Sequence, residues 1–407
     1  MNDIRRTILW VIFGFSMVLL WDKWQLHNGN KATFFPSPAA VGAAAPAAGA
    51  SAPLAGAASV PASTAPAVAS IGASAVPGTP APAAPAAREK IEVTTDVYRL
   101  TFDGEGGSLT HAELLKHADM TDKAKNFVLF DESTQRVYAA QTGLIGGSFP
   151  THKTVMTAVP GPRALKDGEN ELTIRFESPE QGGVKLVKTW TLKRGAYDIA
   201  VKHEVVNVGS TAVSPQLYLQ LVRDGNKPPG ESSFYSTFTG PAVYTDAKKY
   251  QKIEFKDIEN GKVDIPKESP NGYVAMVQHY FASAWLLADG VQRELFTRKV
   301  SDNLYSVGMI TPLGNIDPGT TKVVDARLFA GPQVETMMEK LYPGLELVKD
   351  YGWLTILSKP LYWLLDQLHK LLGNWGWSIV ALVLLLKIAF YWLNAKAYAS
   401  MAKMKAI

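Results

Sequence analysis

The chain has no cysteine among its 407 residues. This absence excludes a disulfide framework, thiolate metal sites and thiol catalysis. The excess of one sign of charge over the other is also small, because 41 Lys and Arg residues against 37 Asp and Glu residues leave a formal net charge of only +4. With no basic stripe interleaved with aromatic side chains, the composition gives no support for nucleic-acid binding. A hydrophobic content of 47% is nevertheless ample for a folded core.

Signatures of catalysis and of cofactor binding are scarce as well. The seven histidines show no spacing typical of metal ligands on one helix or hairpin. No Gly-x-Ser-x-Gly elbow occurs. The glycine-rich stretch Gly104–Gly107 is followed by no suitable helix pattern, so it indicates a plain turn rather than a phosphate loop. We therefore predict no catalytic residue, no cofactor, no metal, and a protein that is not an enzyme.

Charged residues are missing altogether between Lys31 and Arg88. From Pro36 to Ala87 the chain consists almost entirely of Ala, Pro, Gly, Ser, Thr and Val. Recurrent proline breaks any long helix, and such low-complexity sequence cannot bury enough side chain to offset its ordering entropy. We predict a disordered linker over residues 26–87, whose ends lie on the order of 40 Å apart as a flexible coil. A recognition segment for a proline-binding module is the alternative.

The amino-terminal segment has a basic start and one apolar run. Arg5 and Arg6 precede the run from Ile8 to Trp21, which is broken only by a glycine and a serine. A cleaved signal peptide has small residues at its cleavage point, whereas this run is followed by Trp-Asp-Lys-Trp. We predict an uncleaved transmembrane signal anchor over residues 1–25. The two arginines should hold the amino terminus in the cytoplasm.

Short alternating runs predict an all-β domain over residues 88–344. Leu186, Trp190 and Leu192 occupy one face of a strand, and after a turn at residues 194–196 a second alternating run completes a hairpin. Further strands are predicted at Ile91–Thr95, Val97–Phe102, Glu171–Phe176, Gln216–Val222, Tyr273–Phe281, Ala284–Leu287 and Thr321–Phe329. Many short strands separated by turn signals indicate an antiparallel sandwich. A single helix is predicted at about residues 334–341.

The segment after this domain, residues 345–373, contains an amphipathic pattern. Leucines share one helical face between Leu361 and Leu372, and polar residues occupy the other face. A helix of about twelve residues is too short and too polar to span a bilayer, so we predict that it lies flat at the outer membrane interface. A surface helix packed on the β domain is the alternative.

A second apolar segment follows, and we predict a transmembrane helix over residues 374–394. Between Trp375 and Leu393 every side chain except Gly376, Ser378 and Lys387 is apolar or aromatic, which is about the length that crosses a core of roughly 30 Å. A lysine near the centre costs about 2.5 to 3.5 kcal/mol, and the apolar neighbours roughly offset it. Lys387 either extends toward the headgroups or faces a polar cavity within the membrane.

The last residues, 395–407, are basic and should stay in the cytoplasm. Both termini of the chain are then inside, and the large domain between the two spans is outside. The run Tyr398-Ala399-Ser400-Met401-Ala402-Lys403-Met404-Lys405 resembles the signature Y-x-S-M-A-K-M-[RK] that follows the second span of bacterial members of the YidC/Oxa/Alb family of membrane protein insertases. Residues 272–285 resemble that family's W-x-A-M-x-x-x-Y-F pattern, with Tyr273 in place of Trp.

The resemblance implies a multi-pass protein of the bacterial inner membrane that inserts and folds client membrane proteins, alone or with the Sec translocon and its accessory subunits. It also implies contact with membrane lipid, a ribosome as a further candidate partner, and a periplasmic domain that is a β-supersandwich. A cationic residue of the second span draws polar client residues into a hydrophilic groove, and by position that residue is Lys387. The family usually has arginine there. Lysine keeps the positive charge but lacks the planar guanidinium and its fixed set of N–H donors.

The family's pattern continues past this motif into further spans, whereas this sequence stops at Ile407. We expect that two spans alone do not enclose a polar groove and that the chain alone is inactive as an insertase. Two rival functions remain open at this point. One is a membrane-anchored periplasmic protein that binds carbohydrate or modifies glycans, and the other is a scaffold that docks on the Sec machinery through its β domain.

Overall fold

The computed structural model describes residues 89–228, 230, 237–349, 355–391 and 395. The predicted signal anchor and linker, residues 1–87, therefore lie outside the described residues, as does the basic end at 396–407. Among the helices of the described stretches, none combines the length and the apolar character needed to cross a bilayer.

Two large β-sheets make up most of the described structure. The first contains β1 (Lys90–Thr94), β2 (Tyr98–Asp103), β3 (Ser108–Ala118), β4 (Asn126–Glu132), β5 (Val137–Ile145), β10 (Gln216–Asp224), β13 (Glu268–Ser269), β16 (Arg293–Ser301) and β17 (Leu304–Pro312). The second contains β6 (Thr157–Ala158), β7 (Glu171–Glu177), β8 (Val184–Lys193), β9 (Asp198–Asn207), β11 (Thr239–Thr245), β12 (Lys249–Lys252), β14 (Tyr273–Gln278), β15 (Phe281–Leu287) and β18 (Thr321–Pro332).

Both sheets are antiparallel at every pairing between these strands. The first runs β1-β2-β3-β4-β5-β10-β17-β16-β13, and β3 also touches β5 directly. The second runs β12-β11-β14-β15-β18-β9-β8-β7-β6. The predicted all-β architecture with two antiparallel sheets is therefore confirmed.

Aromatic side chains fill the space between the sheets. The rings of Trp190 and Trp285 lie 6.1 Å apart, and Phe102 lies 5.1 Å from Trp190. All three are essentially inaccessible to solvent. Each such side chain contributes about 1.5 to 3 kcal/mol by leaving water, so alternating apolar positions of β2, β8 and β15 hold the layers together.

The predicted hairpin over residues 185–205 is confirmed, because β8 pairs with β9 along most of its length. The predicted strand Tyr273–Phe281 is wrong at its end. The chain turns at His279 and Tyr280, and a second strand begins at Phe281. His279 has a φ of +42°, and its imidazole Nδ1 lies 2.9 Å from the Thr237 hydroxyl. The prediction failed because neither glycine nor proline marks the turn.

Helices follow and interrupt the strands. They are α1 (Phe255–Glu259), α2 (Glu335–Leu341), a 3-10 turn (Leu345–Val348), α3 (Thr355–Leu372) and α4 (Trp375–Ala389). The predicted helix at 334–341 is confirmed as α2, but α1 and the 3-10 turn were not predicted.

The amphipathic helix α3 is longer than predicted, at 18 residues instead of about twelve. It starts at Thr355 and contains Pro360. Proline favours the first turn of a helix, so the sequence indicated a start near residue 360. In the structure one further turn precedes the proline, whose missing N–H removes the hydrogen bond to the carbonyl of residue 356.

Two contacts connect α3 with the end of the β domain. Lys359 Nζ lies 3.2 Å from Glu335 Oε1 in α2, and Lys349 Nζ lies 4.0 Å from the centre of the Tyr362 ring. The leucines at 361, 364, 365 and 368 are half-buried, whereas Leu371 and Trp363 are exposed. The helix therefore contacts the β domain at one side and presents exposed apolar side chains at its middle, Trp363, and near its end, Leu371.

Candidate functional site

A tight turn joins α3 to α4. Gly373 has a φ of +65°, a left-handed conformation that glycine adopts without strain, and its N–H donates to the His369 carbonyl at 2.8 Å. Asn374 caps α4, because its side-chain oxygen accepts from the Trp377 N–H at 3.2 Å. The His369 and Trp375 rings stack at 3.8 Å. The turn therefore fixes where α4 begins.

Lys387, the candidate groove cation, lies in the last turn of α4. Its side chain is exposed, and none of the described carboxylates lies within ion-pair distance of it. A cation at a helix carboxyl end is favoured by the helix dipole. Most of the large apolar side chains around it are exposed too: Ile379, Val380, Val383, Leu384, Leu385 and Ile388. The helix thus presents one charge on a surface that is otherwise apolar.

The residues of the carboxyl-terminal motif, Tyr398, Ser400, Met401, Lys403 and Lys405, lie outside the described residues. The structure therefore does not place them relative to Lys387.

A buried amine inside the β domain was missed by sequence reasoning. Lys188 lies on β8, is fully buried, and donates from Nζ to the carbonyl oxygens of Gly106 and Thr142 at 2.6 Å each. Burial lowers the pKa of Lys188 to about 7. Its position offered a signal, because in an alternating strand it shares the inward face with Leu186 and Trp190.

Two buried histidines stand beside this lysine. His203 Nε2 lies 3.0 Å from Thr142 Oγ1, and His152 Nδ1 lies 2.6 Å from the Tyr218 hydroxyl. Burial, reinforced by the charge of Lys188, lowers the pKa of each histidine to about 3. Both imidazoles are therefore neutral at ordinary pH. No group of three or more His, Asp or Glu side chains in the described part of the chain is arranged to hold a metal.

A polar cleft of about 430 Å³ opens on the first sheet, next to His152. It is lined by residues of β2, β3, β4, β5, β10, β16 and β17 and by the loops that contain Glu105, Arg136, His152 and Asp302. Its charged lining residues are Asp103, Glu105, Glu132, Arg136, Lys153, Asp224 and Asp302. Sequence reasoning did not find this cleft, because its residues come from distant parts of the chain.

Comparison with known proteins places these features in one class. A family model of the YidC periplasmic domain matches residues 90–364. The Membrane protein insertase YidC of Janthinobacterium sp. (strain Marseille) is 49% identical over 407 residues, covering 100% of this chain and 71% of the relative. The protein of the same name from Cupriavidus necator is 52% identical over 403 residues, covering 99% and 71%.

A galactose mutarotase-like protein from Lactobacillus casei ATCC 334 is a more distant structural match. It aligns with 60% of this chain and 100% of its own, at 12% identity and a TM-score of 0.37. Similarity at this level carries no argument about activity.

The chain is thus of the class of membrane protein insertases that carry a large all-β periplasmic domain, which implies a protein of the inner membrane. It belongs to the YidC family. The predicted family is confirmed, and so is the prediction that the chain is not an enzyme, since its relatives are named insertases. The carbohydrate-binding alternative is not favoured by these relatives.

Proposed function

We propose that the chain inserts and folds nascent integral membrane proteins in the bacterial inner membrane, through a hydrophilic groove in which Lys387 attracts polar client residues. The observation that carries the proposal is the position of Lys387. Its side chain is exposed on an otherwise apolar helix and has no described carboxylate as a partner. An ionisable group in such a surface is typical of a functional site in a membrane.

The mechanism is physical and has no covalent step. A cation held in a wet pocket shortens the hydrophobic path that a polar client tail must cross. The client's apolar helix then enters lipid, and its transfer free energy of about 0.3 to 0.6 kcal/mol per Leu, Ile, Val or Phe completes insertion. Attraction is strongest for acidic client residues, because a unit charge pair gains more from Coulomb attraction where the effective dielectric is low.

The membrane arrangement is part of the same proposal. Residues 1–25 and 374–394 form two spans, the linker 26–87 tethers the periplasmic β domain, and the segment 345–373 lies at the outer interface. Both termini are on the cytoplasmic side, together with the motif residues Tyr398, Ser400, Met401, Lys403 and Lys405. The exposed apolar side chains of α4 support a lipid contact for that helix.

Partners beyond the clients follow from the family. We expect the chain to work alone or beside the Sec translocon and its accessory subunits, and we expect ribosome contact at the cytoplasmic face. Crosslinking in native membranes would test both expectations.

Charge substitution at Lys387 tests the mechanism. A chimera joins this chain to the part of the Janthinobacterium relative that it does not cover, and is expressed in cells depleted of their own insertase. Lys387→Glu should impair insertion of clients with acidic translocated tails by at least about tenfold, equivalent to about 1.4 kcal/mol. Lys387→Arg should be tolerated, because it keeps the charge.

Lys340→Glu serves as the matched control, because it makes the same charge change on the exposed surface of α2. Equal insertion by the parent chimera and by all the Lys387 variants would remove this lysine from the mechanism. Depth-sensitive labelling that places position 387 at the phosphates would contradict the groove.

A further inference from the structure

Three elements lie along the chain between the last strand of the β domain and the helix that carries Lys387. After β18 ends at Pro332, the order is α2, the 3-10 turn and α3, and α4 follows. Lys387 lies in the last turn of α4. The place of this cation relative to the β domain therefore depends on how each of the three elements is held.

The segment from α2 to the 3-10 turn is packed into the β domain. Met338 of α2 and Leu345 and Val348 of the turn are buried in the same hydrophobic core as the strands. Arg327 on β18 donates from Nη2 to the Leu341 carbonyl at 2.9 Å. With three side chains removed from water and a hydrogen bond to the neighbouring strand, this segment is part of the folded domain.

Two tyrosines lock the end of α2 to the start of β14. The Tyr273 hydroxyl donates to the Gly344 carbonyl at 2.8 Å, and the Tyr342 hydroxyl accepts from the Gly272 N–H at 2.8 Å. The proton of the Tyr342 hydroxyl is directed to Asp289. The two tyrosine rings meet edge to face with their centres 6.0 Å apart. The segment therefore cannot shift without breaking contacts with the strand.

The helix α3 is held to this segment in a different way. From Leu357 to Leu372 none of its side chains is fully buried. Lys359 Nζ lies 3.2 Å from Glu335 Oε1 of α2, and Lys349 Nζ lies 4.0 Å from the centre of the Tyr362 ring. Residues three apart share one face of a helix, so Lys359 and Tyr362 present a single docking face to the β domain.

The ion pair of this docking face is partly exposed. The Glu335 side chain keeps 19% of its surface accessible, and the Lys359 side chain keeps 42%. An ion pair of this kind shifts an equilibrium by up to about fivefold. Reversal of either charge replaces the attraction with repulsion. The docking of α3 is therefore a shallow equilibrium that one side chain can tip.

The turn between α3 and α4 carries the position of α3 over to Lys387. Asn374 caps α4, and the His369 and Trp375 rings stack at 3.8 Å with their planes 8° apart. These contacts join the two helices across a short turn. A displacement of α3 from the β domain therefore displaces α4 and its cation as well.

We propose that the ion pair between Glu335 and Lys359 is a positioning contact of the insertase, which docks α3 on the β domain and thereby sets where Lys387 stands. This inference rests on the function proposed for Lys387. The β domain is then a rigid support for the two helices. Glu335 and Lys359 act on insertion only through the place that they give to α4.

Distances between paired nitroxide labels test the docking in the full chain, reconstituted in lipid nanodiscs. Because the chain has no cysteine, labels attach only at introduced cysteines. Lys185→Cys on β8 and Gln367→Cys on α3 replace exposed residues on the two sides of the contact. Glu335→Lys and Lys359→Glu should each lower the ratio of docked to undocked helix about fivefold. The double variant, in which the two charges are exchanged, should restore the parent's distances.

Two controls separate this contact from other effects of charge. Glu339→Lys makes the same reversal at an exposed residue one turn further along α2, and it should leave the distances unchanged. A label pair within the second sheet, at Lys185→Cys and Asp325→Cys, should give the same distance in every variant, because the ion pair lies outside the sheets.

Insertion in cells distinguishes a positioning residue from an attracting one. In the chimera that tests Lys387, each single reversal should reduce insertion about threefold to fivefold, in proportion to the loss of docked helix. Clients with acidic and with uncharged translocated tails should be affected alike, because α4 keeps its cation. Lys387→Glu, by contrast, should affect mainly the acidic tails. The exchange of the two charges should restore insertion of both kinds of client.

Several outcomes would overturn the proposal. Unchanged label distances in both single reversals would show that the pair does not hold α3. Undocking without loss of insertion would show that the position of α3 does not matter to the reaction. No recovery in the charge exchange, or an equal effect of Glu339→Lys, would assign the losses to general charge. Equal insertion by all the Lys387 variants, with recovery in the charge exchange, would instead retain the positioning contact and remove the attraction by Lys387.

Discussion

Replacing the buried Lys188 with methionine should change how the stability of the β domain depends on pH. The side chain is fully buried and its pKa is lowered to about 7 from the ordinary 10.5. Between these two values the unfolded chain binds a proton that the folded chain does not, so the free energy of unfolding rises with pH across this window. Below pH 7 both states are protonated and this contribution to stability is lost.

The magnitude follows from the two pKa values. Between pH 9 and pH 6 the wild-type domain should lose about 2.5 kcal/mol from this group, since a tenfold change in proton affinity corresponds to about 1.36 kcal/mol. His152 and His203 lower stability further as the pH falls toward 6, because their pKa values of about 3 in the folded domain lie below the ordinary 6.5 at which the unfolded chain takes up protons. This loss is common to wild type and Lys188→Met and cancels in their difference. Lys188→Met also removes the two hydrogen bonds to carbonyls, which lowers stability by a constant amount at every pH.

Urea denaturation of the segment 89–349 at pH 6, 7, 8 and 9 measures the effect. Trp190 and Trp285 are the only tryptophans of this segment and both are buried, so their fluorescence reports on the core. The stability of Lys188→Met relative to wild type should improve by about 2.5 kcal/mol from pH 9 to pH 6. Lys185→Met, at an exposed position of the same strand, should follow the wild-type curve. Parallel curves for wild type and Lys188→Met would refute the reasoning.

Two further predictions concern packing and capping. Trp285→Ala should lower the free energy of unfolding by about 3 to 5 kcal/mol, as measured by urea denaturation. The substitution opens a cavity and removes the indole N–H that donates to the Gln220 carbonyl at 3.0 Å. A loss below about 1 kcal/mol would contradict the packing. Asn374→Ala should destabilise the start of α4 by about 1 kcal/mol, while Asn374→Ser should not. Hydrogen exchange of the Trp377 amide in micelles should be faster in Asn374→Ala than in Asn374→Ser. Equal protection of this amide in the two variants would exclude the cap.

The strands that carry clear alternation could be predicted from the sequence. The hairpin of β8 and β9 has polar and apolar residues in register, and a glycine turn joins its strands. The boundary between β14 and β15 was predicted too late, after Phe281 instead of after Gln278, since both strands are buried on both faces and no change of pattern marks the turn. The turn at His279 depends on tertiary contact with Thr237, which a local pattern does not contain.

The cleft could not be predicted for a different reason. Ser108, His152, Asp224 and Asp302 are separated by tens of residues along the chain, and only the strand order β3, β5, β10, β17 brings them together. Lys188 could have been recognised, because a lysine at an inward position of an alternating strand is unusual. Lys387 was found because a single charge in a long apolar run stands out in any sequence.

Both sheets end in very short strands, and this has a consequence for a protein that handles unfolded chains. At one margin of each sheet the last strand is only two residues long, in β13 and in β6. Unpaired backbone at a sheet margin is a template on which another polypeptide can form amyloid-like pairs. At these two margins a half-inserted client that contacts the periplasmic domain finds few partners for its backbone, whereas β1 and β12 at the opposite margins are five and four residues long.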